Sequence, residues 1–218
     1  MLEKFLITHN NYDAILANPA RLAEHNITKI YLRDRNLPIK IFRAFLELKN
    51  IEIFVNYSDS SEILAHKNIH LKSDELHLAG ELKKYDLIQK VKATSICRSE
   101  RSEESQKKKN RDSSVASLPQ NDKVRINYKT ILSYSAHSLD DILNAHKAKI
   151  DYIFISPIFA VENKNPPLGV EFLAQIPREI KPKIFALGGI NAQNIKAFKN
   201  LGIAGIAGIR IFSALFNK

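Results

Sequence analysis

A chain of 218 residues with 44% hydrophobic and 26% charged residues is long enough to bury one large core, and its mixture excludes a disordered protein. No run reaches the ~18 apolar residues of a membrane span and no leader-length apolar stretch follows the N-terminus, so no membrane partner is expected; the single cysteine, Cys97, excludes an internal disulfide and points to a reducing, cytoplasmic compartment. The net charge of +10 suits anionic small ligands as well as nucleic acid, but outside Arg98–Arg125 (eight basic residues against five acidic) it is scattered and no recognition motif accompanies it, so nucleic acid is not expected as a partner.

In chain order, short and largely apolar runs predict strands at Lys4–Thr8, Lys29–Arg33, Glu52–Asn56, Ile69–Lys72, Thr130–Ser135, Tyr152–Pro157, Lys183–Leu187 and Gly205–Ile209, as for strands buried on both faces. After the second strand, Leu37–Leu48 carries Pro38 in its first turn and sets Ile41, Phe45 and Leu48 on one helical face. Between the fourth and fifth strands, Cys97–Asp122 is polar and rich in serine and charge; it reads as a disordered insertion (97–122), on the face opposite a barrel's active mouth. Ser138–Lys149 opens with a serine cap and two acids and ends in lysines, and Asn191–Gly202 opens on a capping asparagine and closes on glycine, so both read as helices. Eight strand-then-helix units predict one α/β domain over 1–218, a (β/α)8 TIM barrel, rather than a doubly wound open sheet of about five or six strands. The oligomeric state is left open, a homo-oligomer included.

Barrel chemistry belongs to the loops after the strands. Gly188 and Gly189 after the seventh strand, with Ile209 and Arg210 after the eighth, match a phosphate site in which the backbone approaches the anion and the guanidinium grips it. Ser135 and His137 end the fifth strand, and histidine titrates where a neutral-pH proton transfer needs it. Arg33 and Arg35 follow the second strand, Asn56 ends the third, and the long loop from Ser156 to Gly169 carries Lys164. His66, His77 and His146 lack metal-ligand spacing. Asp74 and Glu75 are acids of the kind that bind magnesium, but two acids in a helix's first turn are commonplace.

Taken in order, Leu32-Arg33-Asp34-Arg35, Phe54-Val55-Asn56, Tyr134–Leu139, the Pro157–Lys164 loop, Leu168-Gly169, Gly188-Gly189-Ile190 and Gly205-Ile206-Ala207 make a set that resembles the family uniting thiamine phosphate synthases with TenI-type thiazole tautomerases. The resemblance implies a TIM barrel acting in thiamine biosynthesis on a small phosphorylated thiazole, with Arg33, Arg35, Asn56, Gly169, Gly188, Gly189, Ile209 and Arg210 binding substrate and His137, Ser135 and Lys164 catalytic. The synthase branch joins a pyrimidine pyrophosphate to the thiazole phosphate and uses magnesium, held in part by an aspartate directly after the strand-three asparagine. Tyr57 stands there in this chain, leaving Glu75 or Asp74 as substitutes, and Arg210 replaces a phosphate-binding serine. The tautomerase branch shifts a proton with a histidine at the position of His137 and needs no metal cofactor. Histidine occurs there in synthases too, but the departures favour the tautomerase. A magnesium-dependent synthase and a catalytically silent ligand-binding member are the alternatives.

Overall fold

The computed structural model describes residues 2–57, 66, 68–84, 129–213 and 215–216. These fall into two compact units, Met1–Ala79 with Ile131–Lys218, and Gly80–Thr130. In the first unit β1 (Glu3–Ile7), β2 (Ile27–Leu32), β3 (Glu52–Asn56), β4 (Asn68–Leu71), β5 (Ile131–Ala136), β6 (Tyr152–Ile155), β7 (Ile184–Ala186) and β8 (Gly205–Gly208) form a closed parallel barrel in chain order. β8 closes on β1 from Glu3 opposite Gly205 to Leu6 opposite Gly208. The predicted strands are all present, their ends displaced by at most two residues.

Side chains alternate across a strand, so each strand supplies one set to the barrel axis and one to the outside. The inward set is dominated by rings: Phe5, Ile7, Tyr31, Phe54, Phe154, Phe185 and Ala207 form one buried cluster. Phe5 meets Phe154 at 4.8 Å and Phe185 at 5.4 Å, both edge to face, the arrangement the ring quadrupole favours. The outward set is aliphatic and equally buried, with Leu6, Ile30, Ile53, Ile69, Leu132, Ile153, Ile184 and Ile206. The axis is thus a packed core, and a ligand's room lies beyond the strand ends.

The helices outside the barrel are short: α1 (Tyr12–Ala17), α2 (Ala20–Glu24), α3 (Ile39–Leu46), α4 (Leu139–Lys147) and α5 (Arg210–Ser213). α4 starts as predicted, the Asp141 amide donating to Ser138 Oγ at 3.1 Å. α3 buries Phe42 and Phe45, whereas Ile41 is only partly covered and Leu48 lies beyond its end; the two rings take the inner face. The helix expected over Asn191–Gly202 is reduced to a 3-10 turn at Ile195–Phe198. Its asparagines compete with helical bonding: Asn191 Oδ1 accepts from the amides of Gln193 and Asn194, and Asn194 Oδ1 accepts from the Asn191 amide. Asn200 then turns left-handed at φ 63°. In the second unit the Lys83 ammonium donates to the Thr130 carbonyl at 2.9 Å. The expected insertion, Cys97–Asp122, lies outside the described residues. Among the described residues no helix is long and apolar enough to cross a membrane.

Candidate active site

Two cavities open beside each other at the C-terminal ends of the strands. The first, about 690 Å³, is bounded by Gly188, Gly189 and Ile190 after β7, Gly208 to Ile211 at the end of β8, and Arg33. The second, about 830 Å³, reaches inward to Tyr31, His70 and Phe154 and outward to His137 and Lys164. Arg33, Val161, Leu187, Gly188 and Ile209 border both. The larger cavity carries three cations on its wall, Arg33, Lys72 and Lys164, and no carboxylate among its lining residues.

Glycine is required where the two loops meet. Gly188 and Gly189 have φ of 96° and 67°, and a Cβ on Gly189 would lie 2.6 Å from Phe159 Cβ and 2.8 Å from the Ala160 carbonyl oxygen. That closeness lets the β6 loop tie itself to β7: the amides of Ile158 and Phe159 donate to the carbonyls of Leu187 (2.9 Å) and Gly188 (3.1 Å). The same loop is closed at its base by the Leu168 amide on the Pro157 carbonyl and the Gly169 amide on the Ile158 carbonyl. Gly169, at φ 79°, therefore anchors the loop that carries Lys164 and is not among the residues lining either cavity.

His137 follows β5 and is exposed on the larger cavity. Its amide donates to Asp141 Oδ2 at 2.8 Å, and its Nδ1 lies 2.8 Å from the Ser156 carbonyl oxygen. A carbonyl can only accept, so Nδ1 donates, and in the neutral form of the ring the lone pair lies on Nε2. Ser135, one turn of the pleat earlier, shares a hydrogen bond with His70 Nε2 at 2.9 Å, and Ser133 does so with His70 Nδ1 at 2.9 Å. His70 is stacked on Phe154 at 5.2 Å and lies 4.2 Å from the Tyr31 ring. Burial, helped by the Lys72 charge, pushes its pKa down to about 3, so it is neutral at physiological pH. Sequence reasoning missed His70. The available signal was a histidine in an apolar strand whose neighbour β5 carries serines two residues apart on one face.

Arg33 is set by β1 and β3. Its amide donates to Thr8 Oγ1, and its carbonyl accepts from Asn56 Nδ2 at 2.6 Å. Asn56 Oδ1 in turn accepts from the Tyr31 hydroxyl at 2.6 Å, a phenol that burial keeps protonated. Asn56 is buried and, like Arg35, is not among the lining residues; it holds Arg33 and Tyr31 in position. Arg35 turns to Glu75 instead, Nη2 to Oε1 at 3.3 Å, while Glu75 Oε2 accepts the Lys72 amide at 2.9 Å. Both oxygens of Glu75 are thus engaged, Asp74 is exposed and not among the lining residues, and Tyr57 follows Asn56. Among the described residues no cluster of three metal-ligating side chains exists. Magnesium is commonly held by one or two carboxylates together with substrate oxygens and water, and the acids here that could take part are Glu75, paired with Arg35, and the exposed Asp74.

The family model described as thiamine monophosphate synthase matches residues 116–212, the stretch that carries Ser135, His137, Lys164 and both glycine loops. Residues 116–212 are thus similar to the thiamine monophosphate synthase family. Similar proteins named thiamine-phosphate synthase include one from Syntrophomonas wolfei, 37% identical over 88 residues (39% of this chain, 41% of the relative). Another, from Ruminiclostridium cellulolyticum, is 38% identical over 90 residues (40% of this chain, 41% of the relative). The chain spans less than half the length of the curated relatives it matches. The solved thiamine phosphate pyrophosphorylase from Pyrococcus furiosus matches in fold, with TM-score 0.59 and 18% identity over 100% of this chain and 89% of that one. The one from Bacteroides thetaiotaomicron gives 0.54 and 19%, over 100% and 87%.

Proposed function

We propose that the chain acts in thiamine biosynthesis as a thiazole tautomerase, moving a proton within a phosphorylated thiazole carboxylate so that the ring becomes aromatic. The observation that carries this reading is His137: the Ser156 carbonyl holds a proton on Nδ1, so that the neutral form of the ring has its lone pair on Nε2, at the larger cavity. Nε2 takes a proton from one carbon of the ligand and returns it at another, with no net change in the enzyme. The phosphate sits in the smaller cavity against Gly188, Gly189, Ile209 and Arg210, and Arg33, on the shared wall, steers both ends. Ser135 and Lys164 orient the remainder, and Asp141 holds the His137 backbone.

His137→Ala tests it. Turnover of the carboxylated thiazole phosphate should fall at least ~100-fold while affinity for the phosphate is kept, the pattern of a lost acid/base. An unchanged rate removes the mechanism. A second reading, thiamine phosphate synthase, is supported by the names of the relatives and by two adjoining cavities, which offer room for two ligands. Incubation with pyrimidine pyrophosphate and thiazole phosphate, with magnesium and then with chelator, separates the two: magnesium-dependent product makes the synthase reading right. Binding without turnover in either assay leaves a silent ligand-binding barrel.

A further inference from the structure

A neutral imidazole has one N–H and one lone pair, so the two hydroxyls flanking His70 must play opposite parts. Ser133 Oγ lies 2.9 Å from Nδ1 and Ser135 Oγ 2.9 Å from Nε2. The two serines differ in surroundings: Ser133 is fully buried, whereas Ser135 is partly exposed on the larger cavity. Were the proton on Nδ1, Ser133 would accept it, and its own hydroxyl proton would remain unpaired at a fully buried position, the costly case for a buried donor. With the proton on Nε2, Ser133 donates to Nδ1, Nε2 donates to Ser135, and each buried group is satisfied. The proton of the Ser135 hydroxyl then has one direction left, toward the cavity.

We infer that Ser133 locks His70 as the Nε2–H tautomer, and that His70 thereby presents the Ser135 hydroxyl to the ligand as a hydrogen-bond donor. His70 is a positioning residue in this scheme, acting through Ser135, and stacking on Phe154 with a tilted contact to Tyr31 holds its ring in place. The ligand atom facing Ser135 is therefore an acceptor, such as a carboxylate, carbonyl or phosphoryl oxygen. This last step rests on the proposed function only in requiring that the ligand enters the larger cavity; the tautomer does not depend on the reaction.

Two measurements test the inference. The first is nitrogen-15 NMR of the unliganded wild-type protein with ring-labelled histidine, the His70 signals being identified by their loss in His70→Gln. Nε2 should carry the proton and Nδ1 none at neutral pH; an Nδ1–H or doubly protonated ring overturns the inference. The second is a double-mutant cycle read by calorimetry with thiazole phosphate as probe. Ser135→Ala and His70→Leu should each weaken binding about tenfold, the size of one lost hydrogen bond. The double variant should be no weaker than Ser135→Ala alone, since both changes remove the same donor. Losses that multiply to about 100-fold would mean that His70 only shapes the cavity, and would overturn its positioning role. If wild-type protein fails to bind thiazole phosphate, the proposed function fails while the NMR result still decides the tautomer.

Discussion

Gly189→Ala perturbs the junction on which the proposed phosphate site depends, and a second glycine provides its control. Gly189 and Gly202 share a left-handed backbone, φ 67° and 75°, so alanine at either position bears the same conformational cost, about 1–2 kcal/mol. Their surroundings differ. A methyl group on Gly202 meets nothing closer than Lys181 Cδ at 3.8 Å, whereas on Gly189 it runs into Phe159 Cβ at 2.6 Å and the Ala160 carbonyl oxygen at 2.8 Å. A Cβ is fixed by its backbone and a carbonyl oxygen cannot rotate aside, so overpacking adds about 1–3 kcal/mol at Gly189 alone. Gly202→Ala should therefore cost about 1–2 kcal/mol and Gly189→Ala about 2–5 kcal/mol. With a urea slope of about 2 kcal/mol/M, these are midpoint shifts of about 0.5–1 M and 1–2.5 M, measured by circular dichroism. Because Phe159 and Ala160 belong to the loop bearing Lys164, Gly189→Ala should also weaken binding of thiazole phosphate, and Gly202→Ala should not. Equal midpoint shifts with unchanged affinity in both variants would refute the reasoning.

Two further outcomes are expected. His70 has a folded pKa of about 3 against 6.5 when unfolded, so between those values the unfolded chain binds more protons and stability falls as pH falls. Its contribution is complete above pH 6.5 and declines by up to about 1.4 kcal/mol per unit toward pH 3; urea titrations across this window should show the slope, and His70→Gln should flatten it. Asn56→Ala removes the acceptor of the buried Tyr31 hydroxyl and should destabilise by about 1–3 kcal/mol, part of which Tyr31→Phe in the same chain should recover, as measured by urea midpoints.

The barrel was legible because its strands are buried on both faces, which produces short apolar runs such as Ile153-Phe154-Ile155 that no helix period explains. The positions of Arg33, Ser135, His137, Lys164 and the two glycine loops at one mouth followed from that topology, since residues just after parallel strands share one end. Less was legible where side chains choose between partners at similar distance. Arg35 turns to Glu75, two residues from Arg33, which lines both cavities, and no local pattern separates them. Asn56 sits at a strand end facing the axis, yet Tyr31 and the Arg33 carbonyl absorb it. His70 escaped notice because its partners come from β5, 63 and 65 residues later in the chain. The turn at Ile195–Phe198 was misread because asparagine caps a helix start and also satisfies a turn that goes no further.

The uncharged state of His70 gives the larger cavity an electrical direction. Its deepest wall, Tyr31, His70 and Phe154, is aromatic and without charge, while Arg33 and Lys164 are exposed nearer solvent and Lys72 lies partly exposed between. The most exposed positive charge on the cavity wall is thus near its rim. A ligand with one strongly charged end is turned before it makes contact, that end toward the rim. Such steering acts on the rate of encounter, weakens as salt shortens the Debye length, and leaves the rate of departure to the short-range hydrogen bonds below.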